Sequence, residues 1–309
     1  MDNILFVPGV PSSAWVREML PVASPMELPV AGRRYIDYAI ECARRFGIMF
    51  AEILDWDFSE RLLAEYSDLT RTGLALFYLK GEGERPRGLD DLARHPTPLT
   101  QEIADNLVVV WGLCLTGHLP AEVRLEPVSE ADCAETPCGI YKRVEGRWTR
   151  ILPHGVVLRN VKTWHMANLS VLNNPAIYTL PGYSAEAGVY LGRNVVMEHG
   201  TVATAPLLMQ DDSWCARNVE LGGDVIIGRG AFVSEGAKLR RTVVCDDTFV
   251  GEGLELVGKI VAGRRVIDAE TGAWADMDEP GLARSIGSVG GFFRSVWKFL
   301  QGASRGRGG

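Results

Sequence analysis

The sequence lacks several features that would assign it to a simple functional class. No run of about 18 apolar residues occurs, so no membrane-spanning helix is predicted. The net charge of -7 argues against the basic footprint of a nucleic-acid-binding protein. The first residues have neither the basic region nor the long apolar region of a signal peptide. These absences together predict a cytoplasmic protein that binds no nucleic acid.

Cysteine and histidine are also sparse. The six cysteines include no CxxC pair, and the five histidines are scattered along the chain. Cys133 and Cys138 lie five residues apart with no further cysteine or histidine cluster beside them, so their spacing does not predict a zinc site. Cys215 falls inside a repeat and is interpreted as a small hydrophobic residue. We therefore expect reduced thiols and no metal ligands among the histidines.

A six-residue periodicity dominates residues 185–261. Small or branched apolar residues recur at every sixth position, at Leu191, Met197, Ala203, Met209, Cys215, Leu221, Ile227, Val233 and Leu239. A second such series lies four residues further on, at Val195, Thr201, Leu207, Ser213, Val219, Val225, Ala231, Ala237 and Val243. A period of six matches neither an α-helix nor a half-buried strand, and it is typical of a parallel β-helix. Glycine, asparagine and aspartate suit its tight turns because they tolerate positive φ.

The periodicity slips once. After Leu239 the apolar positions move by one residue, to Val244, Val250 and Leu256, which predicts a shortened coil edge. A β-sandwich is the alternative, but its strands would recur at a spacing of about 8–12 residues. The pattern therefore favours a β-helix of hexapeptide repeats over residues 179–275.

The preceding 178 residues alternate between apolar and helical patterns. Strands are predicted at 3–9, 48–54, 74–79 and 107–113, and helices at 35–46, 57–66, 100–106 and 161–172. Asp57 is expected to cap the second of these helices. Residues 127–150 are polar and give no clear assignment. Strands that alternate with helices predict a parallel α/β sheet.

Residues 276–309 form a predicted tail with a short basic amphipathic helix. Its apolar side chains gather on one side, at Phe292, Phe293, Val296, Trp297 and Leu300. Basic residues follow the same segment, at Arg294, Lys298, Arg305 and Arg307. This combination suits the inner face of a membrane or the groove of a protein partner. The alternative is that the helix folds back onto the chain and the remaining tail is disordered.

The order of an α/β domain followed by hexapeptide coils resembles the sugar-phosphate nucleotidyltransferases (NDP-sugar pyrophosphorylases). Residues 28–41, LPVAGRRYIDYAIE, look like that family's "LPVaGkPlIdyale" stretch. Residues 164–172 resemble its domain-linking helix, and residues 238–251 resemble its late coils. The resemblance implies an abbreviated Rossmann-like nucleotidyltransferase domain and a left-handed β-helix. It also implies a place in nucleotide-sugar or cell-surface polysaccharide biosynthesis, with homo-oligomers or a protein partner bound through the coils.

Two motifs that carry the family's phosphate chemistry differ here. The first strand of the family leads into a glycine-rich loop whose backbone donors hold the nucleoside triphosphate. In this chain Pro8 and Pro11 remove donors from that loop, and Trp15 is bulky where small residues are wanted. The family then has a lysine that contacts the sugar phosphate, whereas this chain has Met26 and Glu27. Neither side chain supplies the positive charge.

The metal-binding motif differs as well. A family aspartate at the end of a central strand binds Mg²⁺, but this chain has Leu113 there, followed by Cys114. Mg²⁺ prefers oxygen ligands, which neither residue provides. Loss of the loop, the lysine and the aspartate removes three means of stabilising charge during phosphoryl transfer. The sequence therefore predicts a catalytically degenerate domain that acts in binding, regulation or assembly; an active pyrophosphorylase with an atypical site is the alternative, and Mg²⁺ is expected only in that case.

A nucleotide or sugar phosphate that still binds is expected beyond the carboxyl ends of the parallel strands. The candidate residues there are Gly9, Ser12, Ser13, Gly32 and Gly112.

A different class of enzyme also uses hexapeptide coils. Acyltransferases of this architecture use a histidine to deprotonate the acceptor of the acyl group. His199 is the only histidine in the coils, and an unperturbed imidazole suits a general base. Its turn position equally fits an exposed surface residue. A protruding loop beside His199 and a trimeric arrangement would favour this second hypothesis.

Overall fold

The chain forms two compact units, Met1–Ala167 and Asn168–Gly309. The computed structural model describes residues 3–9, 13–20, 22–66, 74–101, 107–116, 124–152, 155–277 and 283–285. The apolar residues of the predicted tail helix lie outside these ranges. None of the helices that the structure describes combines the length and the apolar character that a membrane crossing requires.

Within its described residues, the first unit contains short helices and eleven strands. Its helices are α1 (Trp15–Met19), α2 (Tyr35–Arg45), α3 (Glu60–Tyr66), α4 (Pro98–Gln101), α5 (Glu130–Ala134) and the start of α6 (Val161–Asn173). Its strands are β1 (Asn3–Val7), β2 (Pro29–Val30), β3 (Arg33–Arg34), β4 (Phe50–Asp55), β5 (Ala75–Lys80), β6 (Leu107–Trp111), β7 (Cys114–Leu115), β8 (Arg124–Pro127), β9 (Gly139–Val144), β10 (Arg147–Leu152) and β11 (Val156–Val157). Turns of 3-10 helix lie at Pro25–Glu27 and Leu89–Arg94.

Seven of these strands form a mixed sheet in the order β5-β4-β1-β6-β9-β10-β8. Strands β5, β4, β1 and β6 are parallel, and β9, β10 and β8 extend the sheet with antiparallel pairing. Every residue of β6 is buried, as are the last four of β1, which explains why both strands are continuous apolar runs. The predicted parallel α/β sheet is therefore present in this half of the sheet.

The polar segment that gave no assignment contains helix α5 and, after it, a hairpin. Strands β9 and β10 pair around Glu145 and Gly146, which have φ values of 50° and 77°. Two consecutive residues with positive φ are typical of a tight type I′ turn. The alternation of polar and apolar residues is weak here because these strands are only partly buried.

One predicted helix start is wrong. Helix α3 begins at Glu60, and the hydroxyl of Ser59 accepts a hydrogen bond from the amide of Leu62 at 3.4 Å. Asp57 lies before this point, and its carboxylate accepts hydrogen bonds from arginine side chains instead. The Asp57 side chain therefore pairs with arginines that are distant in the sequence and does not cap the helix.

The second unit consists mainly of very short strands. They are β12 (Tyr183–Glu186), β13 (Val189–Leu191), β14 (Val196–Met197), β15 (Val202–Ala203), β16 (Leu207–Met209), β17 (Trp214–Cys215), β18 (Glu220–Gly222), β19 (Val225–Ile227), β20 (Phe232–Val233), β21 (Lys238–Arg240), β22 (Val243–Val244), β23 (Thr248–Val250), β24 (Glu255–Val257), β25 (Lys259–Ala262), β26 (Arg265–Asp268), β27 (Trp274–Asp276) and β28 (Ala283–Ser285).

These strands stack in three parallel ladders. The ladders are β13-β16-β19-β22-β25, β14-β17-β20-β23 and β15-β18-β21-β24, and antiparallel strands extend the first two. Leu207 pairs with Val225, 18 residues later, so one coil equals three hexapeptides. Both apolar series point into the same core, where Met209, Cys215 and Leu221 are almost completely buried. This arrangement of stacked parallel strands is consistent with a β-helix.

The predicted slip is confirmed by the strand register. Beyond Leu239 the paired residues are 17 apart, as in Ile226 with Val243 and Phe232 with Phe249. Buried Thr242 lies at the shortened edge, and the carbonyl oxygens of Arg240 and Leu256, at 2.9 and 3.0 Å, are the two acceptors within reach of its single O–H.

The first coil differs from the others in its burial. Met197 and Ala203 occupy core positions of the repeat, yet Met197 is 40% exposed and Ala203 is also exposed. An interior coil is covered by a neighbour on each side, whereas among the described residues β14 and β15 of the first coil pair on one side only, and β13 alone is covered on its outer side, by β12. Turn residues elsewhere follow expectation: positive φ is found at Asn194, Asp212, Asn218, Asp224 and Asp247.

Candidate functional site

The position of the family's phosphate-binding lysine is buried. Met26 lies in the turn of 3-10 helix before β2 and is 0% exposed. Its amide donates to the hydroxyl of Ser24 at 3.0 Å. The neighbouring Glu27 is held by Ser59, whose hydroxyl donates to Oε1 at 2.8 Å, and by the amide of Ala23 at 2.9 Å. This segment therefore presents neither a cation nor an unengaged side chain to a ligand.

The position of the metal-binding aspartate is also buried. Leu113 is 0% exposed, and Cys114 is 5% exposed. The hydroxyl of Tyr35 donates to the carbonyl of Cys114 at 2.9 Å and accepts from its amide at 2.8 Å, which fixes this segment against α2. A leucine side chain and a buried thiol do not fit Mg²⁺, and no group of three or more His, Cys, Asp or Glu side chains suited to a metal occurs among the described residues.

Three of the five candidate pocket residues surround the end of β1. Gly9 lies two residues after this strand, and the buried hydroxyl of Ser13 donates to the carbonyl of Pro8 at 2.5 Å. The amide of Gly112 donates to the carbonyl of Val7 at 2.9 Å, and its φ of 74° permits the turn after β6. Ser12 lies outside the described residues.

Gly32 serves a different purpose from the other candidates. It forms the turn of the small β2–β3 hairpin together with Ala31, and the two residues have φ values of 79° and 42°. Positive φ at both central residues of a two-residue turn favours glycine at this position. Gly32 is therefore explained by its place in a hairpin turn.

A buried aspartate closes the carboxyl end of β4. Asp55 is 0% exposed, and its Oδ2 accepts hydrogen bonds from the hydroxyls of Ser24 and Tyr78, the latter at 2.9 Å. Its Oδ1 accepts from the amide of Asp57 at 2.9 Å. A Cβ atom at Gly9 would lie 3.3 Å from the same Oδ1, so the ends of β1 and β4 are in close contact. Burial raises the pKa of the Asp55 carboxyl, and the hydrogen bonds oppose that shift only in part.

The next carboxylate in the same turn is held by two arginines. The Oδ1 atom of Asp57 accepts from Nη1 of Arg17 at 2.5 Å and from Nη2 of Arg85 at 2.6 Å. Nη1 of Arg85 also reaches the carbonyl of Gly9 at 3.4 Å. The cluster therefore joins α1, the end of β1, the turn after β4 and the segment after β5.

Trp56 fills the space beside this cluster. A Cβ atom at Gly81 would come within 2.4 Å of the Trp56 ring, so the indole lies directly over the end of β5. The ring also meets His95 edge to face, with centroids 4.9 Å apart. Its Nε1–H is buried and has no hydrogen-bond partner among the described residues. An indole and a carboxylate from one turn thus occupy the carboxyl ends of neighbouring parallel strands.

The sequence interpretation missed Arg17, Asp55 and Arg85 and took Asp57 for a helix cap. One local signal was available: Asp55 ends a buried strand and Asp57 lies two residues further on, at the sheet edge where ligands bind in α/β folds. No local pattern identifies their partners, because residues 17, 57 and 85 meet only in the folded chain.

We expect Asp55 to make the free energy of unfolding fall as pH rises. The pKa of Asp55 is raised above its ordinary value of 3.8 in the folded protein, so folding favours its protonated form. That contribution to stability is fully present below pH 3.8 and is lost as pH rises through the raised pKa. Asp55→Asn should therefore gain stability relative to the wild type over this range, in urea titrations at a series of pH values.

Asp211→Asn provides the matched control for that measurement. Hydrogen bonds from the Arg193 backbone and side chain lower the pKa of Asp211, so its contribution is lost as pH falls. The two variants should therefore show opposite pH trends relative to the wild type. A pH-independent difference between Asp55→Asn and the wild type would contradict the prediction.

Two cavities lie away from this cluster. One in the first unit, of about 330 Å³, is lined mainly by apolar side chains that include Ile4, Val108 and Ile140. It lacks the convergent polar groups that orient a ligand. A polar cleft of about 550 Å³ in the second unit is lined by residues that include Arg193 and Asp211, which pair with each other at 2.9 Å.

His199, the candidate base of the acyltransferase hypothesis, is exposed in a tight turn of the first coil. Its carbonyl accepts from the amide of Asn218 at 3.3 Å. Residues 189–262 are described throughout, and their strands pair at a spacing of 18 or 17 residues without an inserted loop. The protruding loop that this hypothesis anticipated is therefore missing from these coils. His199 as a general base stays a prediction.

Comparison with known proteins gives partial similarities. The chain matches no protein-family model. The bifunctional protein GlmU of Burkholderia vietnamiensis is 34% identical over 112 residues, which are 34% of this chain and 23% of that protein. The UTP–glucose-1-phosphate uridylyltransferase of Synechocystis sp. is 29% identical over 104 residues, 33% of this chain and 26% of that protein. The matched part is about a quarter of each relative's length. These two similarities support a relationship between this chain and the sugar-phosphate nucleotidyltransferases.

Proposed function

We propose that this chain is a sugar-phosphate nucleotidyltransferase-like protein that has lost catalysis and acts in binding, regulation or assembly. The observation that carries the proposal is the burial of Met26 and Leu113, which stand where the resemblance expects a lysine and a metal-binding aspartate. Both side chains are 0% exposed. A fully buried, uncharged side chain offers no contact to a phosphate or a metal ion.

The chemistry of phosphoryl transfer explains why this loss is severe. The transition state spreads negative charge over phosphate oxygens, and catalysis depends on cations and donors aimed at that charge. Two arginines at the ends of β1 and β4, Arg17 and Arg85, are already bound to Asp57 at 2.5 and 2.6 Å. Their charge is therefore partly neutralised by the protein itself.

The stacked strands of the second unit support the finer part of the proposal. A left-handed β-helix presents flat faces and a regular surface, which suits assembly with further copies or with a protein partner. We place such an assembly role in nucleotide-sugar or cell-surface polysaccharide biosynthesis, by analogy with the relatives. The partial similarity to a UTP–glucose-1-phosphate uridylyltransferase supports this setting.

Pyrophosphorolysis tests the loss of catalysis directly. The full chain is incubated with Mg²⁺, pyrophosphate and a panel of NDP-sugars, and release of nucleoside triphosphate is measured. We expect no turnover above that of the protein-free control. Turnover with any NDP-sugar would overturn the proposal and favour an active pyrophosphorylase with an atypical site. Calorimetric titration with the same NDP-sugars separately measures whether binding persists without turnover.

A further inference from the structure

Aromatic side chains line one outer face of the stacked strands. Trp214, Phe232 and Phe249 occupy the same position in β17, β20 and β23, as the strand register shows. Their rings stack in sequence, with centroids 6.3 and 5.7 Å apart. The residue after each ring, such as Cys215 or Val233, is buried in the core, so the rings point outward. We call Trp214, Phe232 and Phe249 the aromatic stripe.

The aromatic stripe is an apolar surface that is only partly buried. Val196 continues the row on the first coil, where it is in register with Trp214. The indole N–H of Trp214 donates to Oε1 of Glu198 at 3.0 Å. The ladder β15-β18-β21-β24 differs, because its outward positions include the charged pair Glu220 and Lys238. A row of outward rings beside a ladder with charged outward residues marks the stripe as a contact surface.

The chain returns to this face after the last coil. Strand β28 pairs antiparallel with β23 and extends the sheet that carries the aromatic stripe. Phe249 is in register with Arg284, and Thr248 is in register with Ser285. Residues 286–309 therefore continue from a point one strand away from the end of the stripe.

The length of the segment after β28 matches the stripe. Its apolar residues have helical spacing on one side, at Phe292, Phe293, Val296, Trp297 and Leu300. A helix over residues 292–300 is about 13 Å long. The four strands from β14 to β23 span about 14 Å, since neighbouring strands lie about 4.8 Å apart. The residues between 285 and 292 reach up to about 20 Å when extended, which is enough to cross the stripe.

Charge favours the same contact. Residues 286–309 contain four basic side chains and no acidic one. The turns before and after β20 and β23 carry mostly acidic side chains, namely Glu235, Asp246, Asp247 and Glu252 against the single basic Arg229. The segment and the turns that border the stripe therefore attract each other.

We propose that the aromatic stripe is the docking surface for residues 286–300 of the same chain. The apolar side of this segment packs across Trp214, Phe232 and Phe249 and removes apolar surface from water. Its attachment to β28 gives it a much higher effective concentration at the stripe than a separate partner has. The docking does not depend on the loss of catalysis proposed above, and it leaves assembly to the other faces of the coils.

Limited digestion of the full chain with trypsin tests this docking. Lys298 is a cleavage site inside the proposed segment, and Arg305 is a site beyond it. Cleavage after Lys298 should be at least about tenfold slower in the wild type than in Phe232→Ser, which interrupts the stripe. Cleavage after Arg305 should be equal in both proteins. Val257→Ser is the matched control, because Val257 also points outward from a short strand, in the ladder without the stripe, and this variant should keep the protection.

A reciprocal variant separates docking from an effect on the coils. Phe293→Ser changes only the tail and lies five residues before Lys298, so both the coils and the cleavage site keep their sequence. It should expose Lys298 as Phe232→Ser does. The double variant should be cleaved no faster than either single variant, because both substitutions remove the same contact. If Phe232→Ser does not fold, Phe293→Ser decides the question alone.

Three results would overturn the proposal. The first is equal cleavage after Lys298 in the wild type and in the folded single variants. The second is protection that increases with protein concentration, which shows that the segment docks on a second copy of the chain. The third is protection that requires vesicles of phosphatidylserine and phosphatidylcholine, which shows a lipid surface as the occupant of the segment. Turnover of NDP-sugars affects none of these measurements.

Discussion

Replacing Ile227 by aspartate is expected to unfold the stacked strands of the second unit. Ile227 is 0% exposed and pairs with Met209 on one side and Val244 on the other. A carboxylate in this core has no cation or donor among the apolar side chains that surround it. Its burial should cost about 4 kcal/mol or more, a large part of the stability of a domain. Circular dichroism during thermal unfolding should show a lowered midpoint or no folded baseline.

Val257→Asp provides the matched control for this substitution. Val257 also lies in a short stacked strand, but it points outward and is 50% exposed. It pairs with Arg240, so a carboxylate there gains a favourable neighbour. We expect a change within about 0.5 kcal/mol of the wild type. Equal losses from both substitutions would contradict the assignment of inward and outward faces.

The second unit was largely predictable from its sequence because each coil repeats the same local environment. Residues six positions apart, such as Met209, Cys215 and Leu221, all pack in the same core. The same apolar pattern therefore recurs many times along the chain, which makes it easy to recognise. Even the slip after Leu239 was visible as a change of phase. The exposure of Met197 was not predictable, because it depends on what lies beyond the end of the stack rather than on the repeat.

The first unit was less predictable for physical reasons. Its buried parallel strands β1 and β6 are apolar runs that stand out in a sequence, whereas the β9–β10 hairpin is half-buried and mixes polar with apolar residues. The pair Glu145-Gly146 is the local signal for that hairpin, since both residues adopt positive φ. Such a signal is weaker than the Asn-Gly or Asp-Gly pairs that announce most tight turns.

The candidate site shows the same division between local and tertiary information. The replacement of a lysine by Met26 and of an aspartate by Leu113 is readable from a resemblance, but the burial of both side chains is not. The contact between Arg17, Asp57 and Arg85 joins segments that are 40 and 28 residues apart. No periodicity or motif encodes such a contact.

Positions 26 and 113, where the resemblance expects ligand-contacting residues, are internal in this fold. Tyr35 lies in the stretch that resembles the nucleotidyltransferase family, residues 28–41. Its hydroxyl forms hydrogen bonds with the backbone of Cys114, next to the position where the resemblance expects a metal ligand. Ser24 and Tyr78 satisfy Asp55 at the end of β4. The polar groups at these strand ends are thus engaged in hydrogen bonds within the protein. Restoring a single catalytic side chain should therefore conflict with the packing around it.

Met26→Lys is expected to destabilise the first unit strongly without restoring activity. Met26 is 0% exposed, so the new ammonium group is buried in a position that now holds an uncharged side chain. The expected loss is about 3–5 kcal/mol in the free energy of unfolding, measured by urea titration. The loss should shrink at high pH, because a buried amine has a lowered pKa and loses its charge more readily.

Met166→Lys is the control for that experiment, because Met166 lies in the same unit and is 54% exposed. Its ammonium group stays in water, so the free energy of unfolding should change by less than about 0.5 kcal/mol at any pH. A Met26→Lys protein with wild-type stability would mean that the lysine reaches solvent, and position 26 would then border an open pocket. Pyrophosphorolysis by that variant would show further that the loss of the cation alone had silenced the site. If position 26 is closed and apolar, Met26→Lys should be destabilised and Met166→Lys should not. The destabilisation of Met26→Lys should also be smaller at high pH.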